Sequence, residues 1–215
     1  MENNVFEQMA NRYDTEERIA LAKVIVKEVR AELRNSHSKS LIDYGSGTGL
    51  IGLELSNLVD SILLVDSSKQ MLDVARAKIS TRGLTNSKVL YSDFTKETPE
   101  LKADIVLMSL VLLHIPDTHK ILQEIFTILH DGGKLIIVDF DKNEKINHPK
   151  VHNGFSHDEL KKSLSDVGFT SIKMKTFYHG NQIFMNQDAS MFISCSIKKG
   201  DGMLDNPSFN GGSSL

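Results

Sequence analysis

An α/β protein, built on a doubly wound, mostly parallel sheet with helices on both faces, is the fold this sequence predicts. Three observations carry it. Short continuous apolar runs (LIDYG, SILLVD, ADIVLMSLVLL, KLIIVDF) alternate with longer segments of helical periodicity. Strands that lack apolar–polar alternation are buried on both faces, as parallel strands under crossover helices are. Three successive strand-like runs end in an acid, Asp43, Asp66 and Asp93, and the first leads directly into DYGSGTG, residues 43–49. In such a sheet the ligand crevice lies beyond the carboxyl ends of the strands, so the three acids converge on one neighbourhood.

The elements follow in order. Residues 16–34 place Ile19, Ala22, Val26, Val29 and Leu33 at helical spacing, with Thr15 or Asp14 as the cap. After the loop NSHSKS, LIDYG is a buried strand, and a helix begins behind the glycines over residues 50–57. SILLVD (61–66) is the second strand. The helix after it opens with a Ser67/Gln70 capping box and turns Met71, Leu72, Ala75 and Ile79 inward. KVLYSD (88–93) is the third strand, and ADIVLMSLVLL (103–113) is a central strand running into a loop broken by HIPD. Residues 118–130 form a helix with Ile121, Leu122, Ile125 and Leu129 inward, stopped by Gly132–Gly133. KLIIVDF (134–140) is the fifth strand, and residues 141–155 are a long loop or a partly ordered lid. A Ser156/Glu159 capping box opens the last helix, which buries Leu160, Leu164 and Val167 and ends at Gly168. TSIKMKTFYHG and SMFISCSIKK are strands that pair antiparallel at one edge. Residues 200–215 carry too little apolar content to pack and are expected to be a disordered tail. Residues 1–199 then form a single domain, with residues 1–35 as a helical cover.

With 215 residues, 40% of them hydrophobic, the chain can bury a core of its own. Its formal net charge of −3 and the lack of a basic stripe argue against nucleic acid as a partner. No run of 18 apolar residues is present, so membrane insertion is not expected. The N-terminus has no apolar signal core, which points to the cytoplasm. The single cysteine, Cys195, lies in a strand and reads as a buried small side chain. A monomer and a homodimer are equally consistent with the sequence.

The glycine loop fits two templates. Gly47 to Gly52 reads GxGxxG and Asp66 follows Gly47 by 19 residues, close to a dinucleotide fingerprint. That pattern starts two residues late, because the first glycine after the strand is Gly45. A carboxylate at Asp43 would also face a pyrophosphate of like charge, whereas phosphate loops present backbone N–H groups. A ligand without phosphate and with a cationic part suits Asp43 better, and S-adenosylmethionine is such a ligand. Asp43 then accepts from its ammonium or holds the loop, and Asp66 receives the ribose hydroxyls. Asp93 accepts from the adenine amine beside Phe94, and Gly45, Gly47 and Gly49 let the backbone approach closely. A nicotinamide-dependent oxidoreductase and a noncatalytic S-adenosylmethionine-binding protein remain as alternatives.

Residues 41–140 resemble the class I S-adenosylmethionine-dependent methyltransferases, especially the small-molecule group that includes ubiquinone/menaquinone-biosynthesis methyltransferases. The matching segments, in order, are DYGSGTG, Asp66 with Ser67 and Met71, SDF at 92–94, ADIVLMSLVLLHIPD and ILHDGGKLIIVDF. VFEQMANRYD near the start and FSHDELKKSLSDVGF near the end extend the match to about 190 residues. The resemblance implies a Rossmann-like seven-stranded sheet with an antiparallel edge strand, S-adenosylmethionine as cofactor and methyl transfer to a small-molecule acceptor. It also implies cofactor contacts by Tyr13, over the methionine part, by Ser46 in the glycine loop, and by Ser109 and Leu110 beside the methyl group.

Methyl transfer from a sulfonium is in-line substitution, so the protein supplies mainly alignment, and a base only if the acceptor must lose a proton. No metal is required. His114 is the candidate base, or else pocket wall. Family members often carry two histidines here, whereas this chain has Leu113-His114. Asp139 at the end of the fifth strand, His148 and His152 in the 141–155 loop, and Tyr178 are candidates for contact with the acceptor. The spacing of His148, His152 and His157 matches no metal motif.

Overall fold

A computed structural model describes residues 9–200. The start of VFEQMANRYD and the tail from residue 201 therefore lie outside the described residues. Seven strands form one sheet: β1 (Ser40–Tyr44), β2 (Ser61–Asp66), β3 (Ser87–Tyr91), β4 (Ala103–Ser109), β5 (Leu129–Phe140), β6 (Phe169–Phe184) and β7 (Gln187–Lys198). Their order is β3-β2-β1-β4-β5-β7-β6. The first five run parallel, and β7 pairs antiparallel with both β5 and β6. The expected antiparallel pairing at one edge is thus present, with β7 set between β5 and the outermost strand β6.

Among the described residues five α-helices cover the faces: α1 (Glu16–Glu32), α2 (Gly52–Leu55), α3 (Lys69–Arg82), α4 (Thr118–Ile128) and α5 (His157–Val167). Successive strand residues face opposite ways. Ile42, Tyr44, Val106 and Met108 pack with α4 and α5 on one side. Leu41, Ile105, Leu107 and Val138 pack with Ile25, Val26 and Val29 of α1 on the other. The chain doubles back between β1 and β4, so the crevice beyond their carboxyl ends is the topological switch point of the sheet.

Several boundaries move from where the sequence puts them, each for a local reason. Thr15 is the cap of α1, accepting from Arg18 N at 3.3 Å. Ser68, not Ser67, caps α3, accepting from Met71 N at 3.2 Å, so the proposed Ser67/Gln70 box is displaced by one residue. Ser156 precedes α5 without a side-chain cap bond. The helix expected over 50–57 is four α-helical residues followed by a 3-10 turn at Ser56–Leu58. α4 ends at Ile128 because Leu129 already joins β5 opposite Ala103, and Gly132–Gly133 lie inside that irregular strand. β3 ends at Tyr91, so Asp93 stands two residues beyond it. β6 and β7 meet at Met185 and Asn186, both at positive φ, as a tight hairpin turn requires. Cys195 sits half-buried in β7, where burial first and the nearby Glu32 second push its thiol up to about 12.

Candidate functional site

A cavity of about 370 Å³ opens at the switch point. Its floor is the β1 end and the glycine loop, one wall follows β2 and β3, and another follows β4. Tyr13, Arg18, Leu21, Ala22 and Ile25 from the N-terminal segment and α1 close it from above. Of the sequence-predicted residues, the structure brings together Tyr13, Asp43, Gly45, Ser46, Gly47, Asp66, Ser67, Met71, Asp93, Ser109, Leu110 and His114 on this one surface.

Asp43 is 2% exposed and its Oδ2 has no hydrogen-bond partner among the described residues. Burial first, and the nearby Asp66 carboxylate second, push its pKa up to about 7, against the opposing pull of the Gly52 N–H. Removing a carboxylate from water penalises the charged form, so the pocket stores an unmet demand for a cation or a donor. Ser46 Oγ and Ser109 Oγ are also buried and unpartnered, and both residues belong to the cavity lining. Native proteins pair nearly all such groups, so three residues with orphaned polar atoms gathered around one cavity mark it as a polar site.

The glycines have separate jobs. At Gly47 (φ +54°) a Cβ would meet only Tyr13 Cε1, 3.9 Å away, so this position faces open cavity. At Gly45 a Cβ would collide with the Val111 side chain, and at Gly49 with Leu53 at 2.9 Å. Gly49 therefore does not line the cavity, contrary to the sequence reading. It lets the loop pack on α2, and only Gly47 offers the close backbone approach to a ligand.

Asp66 is held by two backbone donors, Gly47 N to Oδ2 and Ser68 N to Oδ1, each at 2.8 Å. The first of these ties the glycine loop to the end of β2. Asp93 accepts from Thr95 N and Oγ1 at 3.1 and 2.6 Å and pairs with Lys96 at 2.9 Å. Burial works to raise its pKa, but the Thr95 and Lys96 bonds together outweigh it and hold Asp93 below the ordinary carboxylate range. Leu110 adopts φ +52°, unusual for a branched residue, as the chain leaves β4 along the cavity wall, with its N–H on Val138 O at 2.8 Å. His114 sits at the mouth, in the 3-10 turn Leu112–His114. Desolvation by the surrounding protein, with a smaller contribution from His148, holds its pKa below the ordinary imidazole value.

Two features are absent from the sequence reading. The Arg18 guanidinium lies 4.3 Å from the Tyr13 ring centroid and donates to Tyr13 O at 3.0 Å, fixing the ring over the cavity. Asp14 accepts from Thr48 Oγ1 at 2.5 Å and pairs with Lys78 at 2.5 Å, while Lys78 Nζ reaches Thr48 O at 2.8 Å. This clamp joins the N-terminal segment, the glycine loop and α3. The pair Tyr13-Asp14 in the NRYD segment is the available sequence signal for it.

Five other expected contacts lie elsewhere. Phe94 is 1% exposed and stacks on Tyr44 at 4.6 Å, one layer behind the cavity wall. Asp139 is fully buried and accepts from Leu113 N at 3.1 Å and Phe140 N at 2.8 Å, bracing the loop after β4 from below. His148 is exposed and accepts from Lys150 N at 3.2 Å, outside the cavity lining. His152 bonds Ile115 O at 2.8 Å through Nε2, and its N–H reaches Leu113 O at 2.9 Å. The 141–155 segment is thereby pinned to the outside of the wall that carries His114. Tyr178 packs half-buried among side chains on the α1 side of the sheet.

Comparison with known proteins agrees with this geometry. The family described as a methyltransferase domain matches residues 35–192. The chain is 29% identical over 128 residues to the ubiquinone/menaquinone biosynthesis C-methyltransferase UbiE of Vibrio parahaemolyticus, covering 57% of this chain and 49% of that protein. It spans about half the length of the curated relatives it matches first. Among solved structures, a SAM-dependent methyltransferase from Aquifex aeolicus superposes with a TM-score of 0.67 at 20% identity, covering 89% of this chain and 97% of that one. The DhpI–SAH complex gives a TM-score of 0.67 at 20% identity, covering 90% and 93%. With the family matched across most of its length, and with the acid-and-glycine site at the switch point of a seven-stranded sheet, the chain belongs to the methyltransferase-domain family, as a class I S-adenosylmethionine-dependent methyltransferase domain.

Proposed function

We propose that the chain transfers a methyl group from S-adenosylmethionine to a small-molecule acceptor that enters beside His114. The gathering of Asp43, Asp66 and Asp93 with the glycine loop, Ser46 and Ser109 around one cavity carries this reading, because it matches a ligand with a cation and several hydrogen-bonding groups but no phosphate. When bound, the cofactor supplies a methyl group already activated on a sulfonium. Asp43, when ionised, sets a negative charge under the glycine loop that would attract the ammonium. Asp66, oriented by its two backbone bonds, receives the ribose diol. Asp93 stands at the third strand end, where the adenine amine is expected. Tyr13 roofs the methionine part and excludes water.

Around the expected position of the methyl group, Leu21, Ile51, Leu110 and Ile115 provide apolar walls. His114, with its depressed pKa, is neutral at pH 7 and able to accept a proton from the acceptor. The relatives' printed names make a carbon acceptor in ubiquinone or menaquinone biosynthesis the first class to screen.

The test follows formation of S-adenosylhomocysteine over a panel of small carbon, oxygen, nitrogen and sulfur acceptors. Turnover with one class supports the proposal, whereas cofactor binding without turnover on any of them favours a noncatalytic binding protein. His114→Ala should lower turnover about 10²-fold with cofactor affinity unchanged, if the histidine acts as base. Normal turnover would leave His114 as pocket wall. Gly47→Val should eliminate S-adenosylhomocysteine binding in calorimetry, because its side chain enters the cavity. The strain of a branched residue at φ +54° should cost about 1–2 kcal/mol, so a thermal melt should still show a folded protein. Wild-type affinity in that variant would mean that no ligand crosses the loop there.

A further inference from the structure

A second concavity, of about 460 Å³, lies behind the cofactor cavity between α1, the residues leading into α2, and α3. The two share Ala22 and Leu50 as a common wall. Its floor is apolar: Ile19, Ala22, Val26 and Leu50. Its charged lining is Asp14, Lys23, Lys27, Arg30, Glu54, Lys78 and Arg82, five cations against two acids. Both acids are already engaged, Asp14 with Lys78 at 2.5 Å and Glu54 with Arg82 at 2.7 Å. Arg30 donates to Glu54 O at 2.6 Å, which satisfies a donor without neutralising its charge. Lys23 and Lys27, one helical turn apart on α1, are exposed and pair with no other described residue. In a chain of net charge −3, this leaves three cations along one rim of an apolar trough with no carboxylate partner among the described residues.

We propose that this trough binds a single-chain anionic amphiphile, with its head held by Lys23, Lys27 and Arg30 and its chain lying on Ile19, Ala22, Val26 and Leu50. Charge complementarity selects the head, and the unfilled apolar floor selects the chain. Ala22 and Val26 are buried below the rim, so a flat bilayer does not reach them, whereas a thin alkyl chain does. The volume is of the order of ordinary small-molecule sites. A free inorganic anion would leave the floor wet, and a nucleic-acid backbone would run into Asp14 and Glu54. The Asp14–Lys78 clamp forms one end of the trough, so its occupant sits next to the segment that carries Tyr13.

The test is calorimetric titration of the full chain with dodecanoate below its micelle concentration. Inorganic phosphate, dodecyl maltoside and anionic phospholipid vesicles serve as separate arms. The expected result is one-to-one binding of dodecanoate, with no comparable binding of phosphate or of the neutral amphiphile. The double variant Lys23→Glu/Lys27→Glu should weaken dodecanoate binding about tenfold or more, because two screened attractions become repulsions. Ile19→Gln should weaken it by removing apolar floor. Both variants should keep the wild-type melting temperature and the wild-type affinity for S-adenosylhomocysteine, which separates this site from the cofactor cavity. The proposal is overturned by absent dodecanoate binding, by equal affinity in the charge-reversed variant, or by equal binding of phosphate or maltoside. Capture by vesicles without binding of dodecanoate would make the patch a membrane contact and would also overturn it.

Discussion

Asp66→Ala is expected to weaken S-adenosylhomocysteine binding by about 2–3 kcal/mol, roughly 30- to 150-fold, in a calorimetric titration. Two losses combine. The variant removes the carboxylate proposed to receive the ribose hydroxyls, and it strands the N–H groups of Gly47 and Ser68, whose partner it is. The glycine loop loses its tie to β2 at the residue that faces the cavity. Asp66→Asn separates the two losses. Its amide oxygen still accepts from one backbone N–H, but its amide nitrogen cannot accept from the other, so intermediate affinity is expected. An unchanged affinity in Asp66→Ala would remove the residue from ribose binding altogether.

Asp43→Asn should do two opposite things. The folded protein holds the Asp43 proton more tightly than the unfolded chain does, with a pKa of about 7 against an ordinary value of 3.8. A raised carboxyl pKa means that stability is fully present below pH 4 and is lost as pH rises through 7. The three-unit gap corresponds to at most about 4 kcal/mol above pH 7. Asn cannot ionise, so the variant's melting temperature should exceed that of the wild type at pH 8 and match it near pH 4. Cofactor binding runs the other way. A cationic ligand recruits the ionised form, so wild-type affinity should fall as pH drops below 7, by up to about tenfold per unit. In Asp43→Asn, affinity should be low and flat with pH. Melting and titration curves that run parallel for the two proteins between pH 5 and 8 would mean that Asp43 neither stores this penalty nor meets the cofactor.

Much of the site was legible because its chemistry is concentrated at strand ends. Apolar runs locate β1, β2 and β4, and the chain direction in a parallel sheet brings their carboxyl ends together. Asp43 and Asp66 were therefore readable from position, whereas Ser109 and Leu110 entered through the family resemblance. What position cannot supply is the direction of a side chain beyond the strand. Asp139 ends β5 beside the crevice, yet its carboxylate is spent on two backbone N–H groups below the loop. Phe94 follows Asp93 by one residue and points into the core against Tyr44. Gly49 looked equivalent to Gly47, but neighbouring residues of a tight loop project to different sides, and Leu53 occupies the side that Gly49 faces. The Asp14–Thr48–Lys78 clamp and the Arg18–Tyr13 stack join residues from 5 to 64 positions apart, and no periodicity encodes them.

The sheet order carries a consequence for how the chain acquires its shape. β6 is made before β7 but lies outside it, and its strand partner is β7. Until β7 exists, β6 has no ladder to join, and β5 keeps one edge unpaired. On a ribosome, synthesis of β1 to β5 leaves a sheet with an open side, and β6 emerges with nowhere to dock. The turn at Met185–Asn186 then lets the last two strands zip locally and add to β5 as a hairpin. This order makes completion of the sheet wait for β7, and a nascent chain halted before Gln187 would lack the strand that covers the β5 edge.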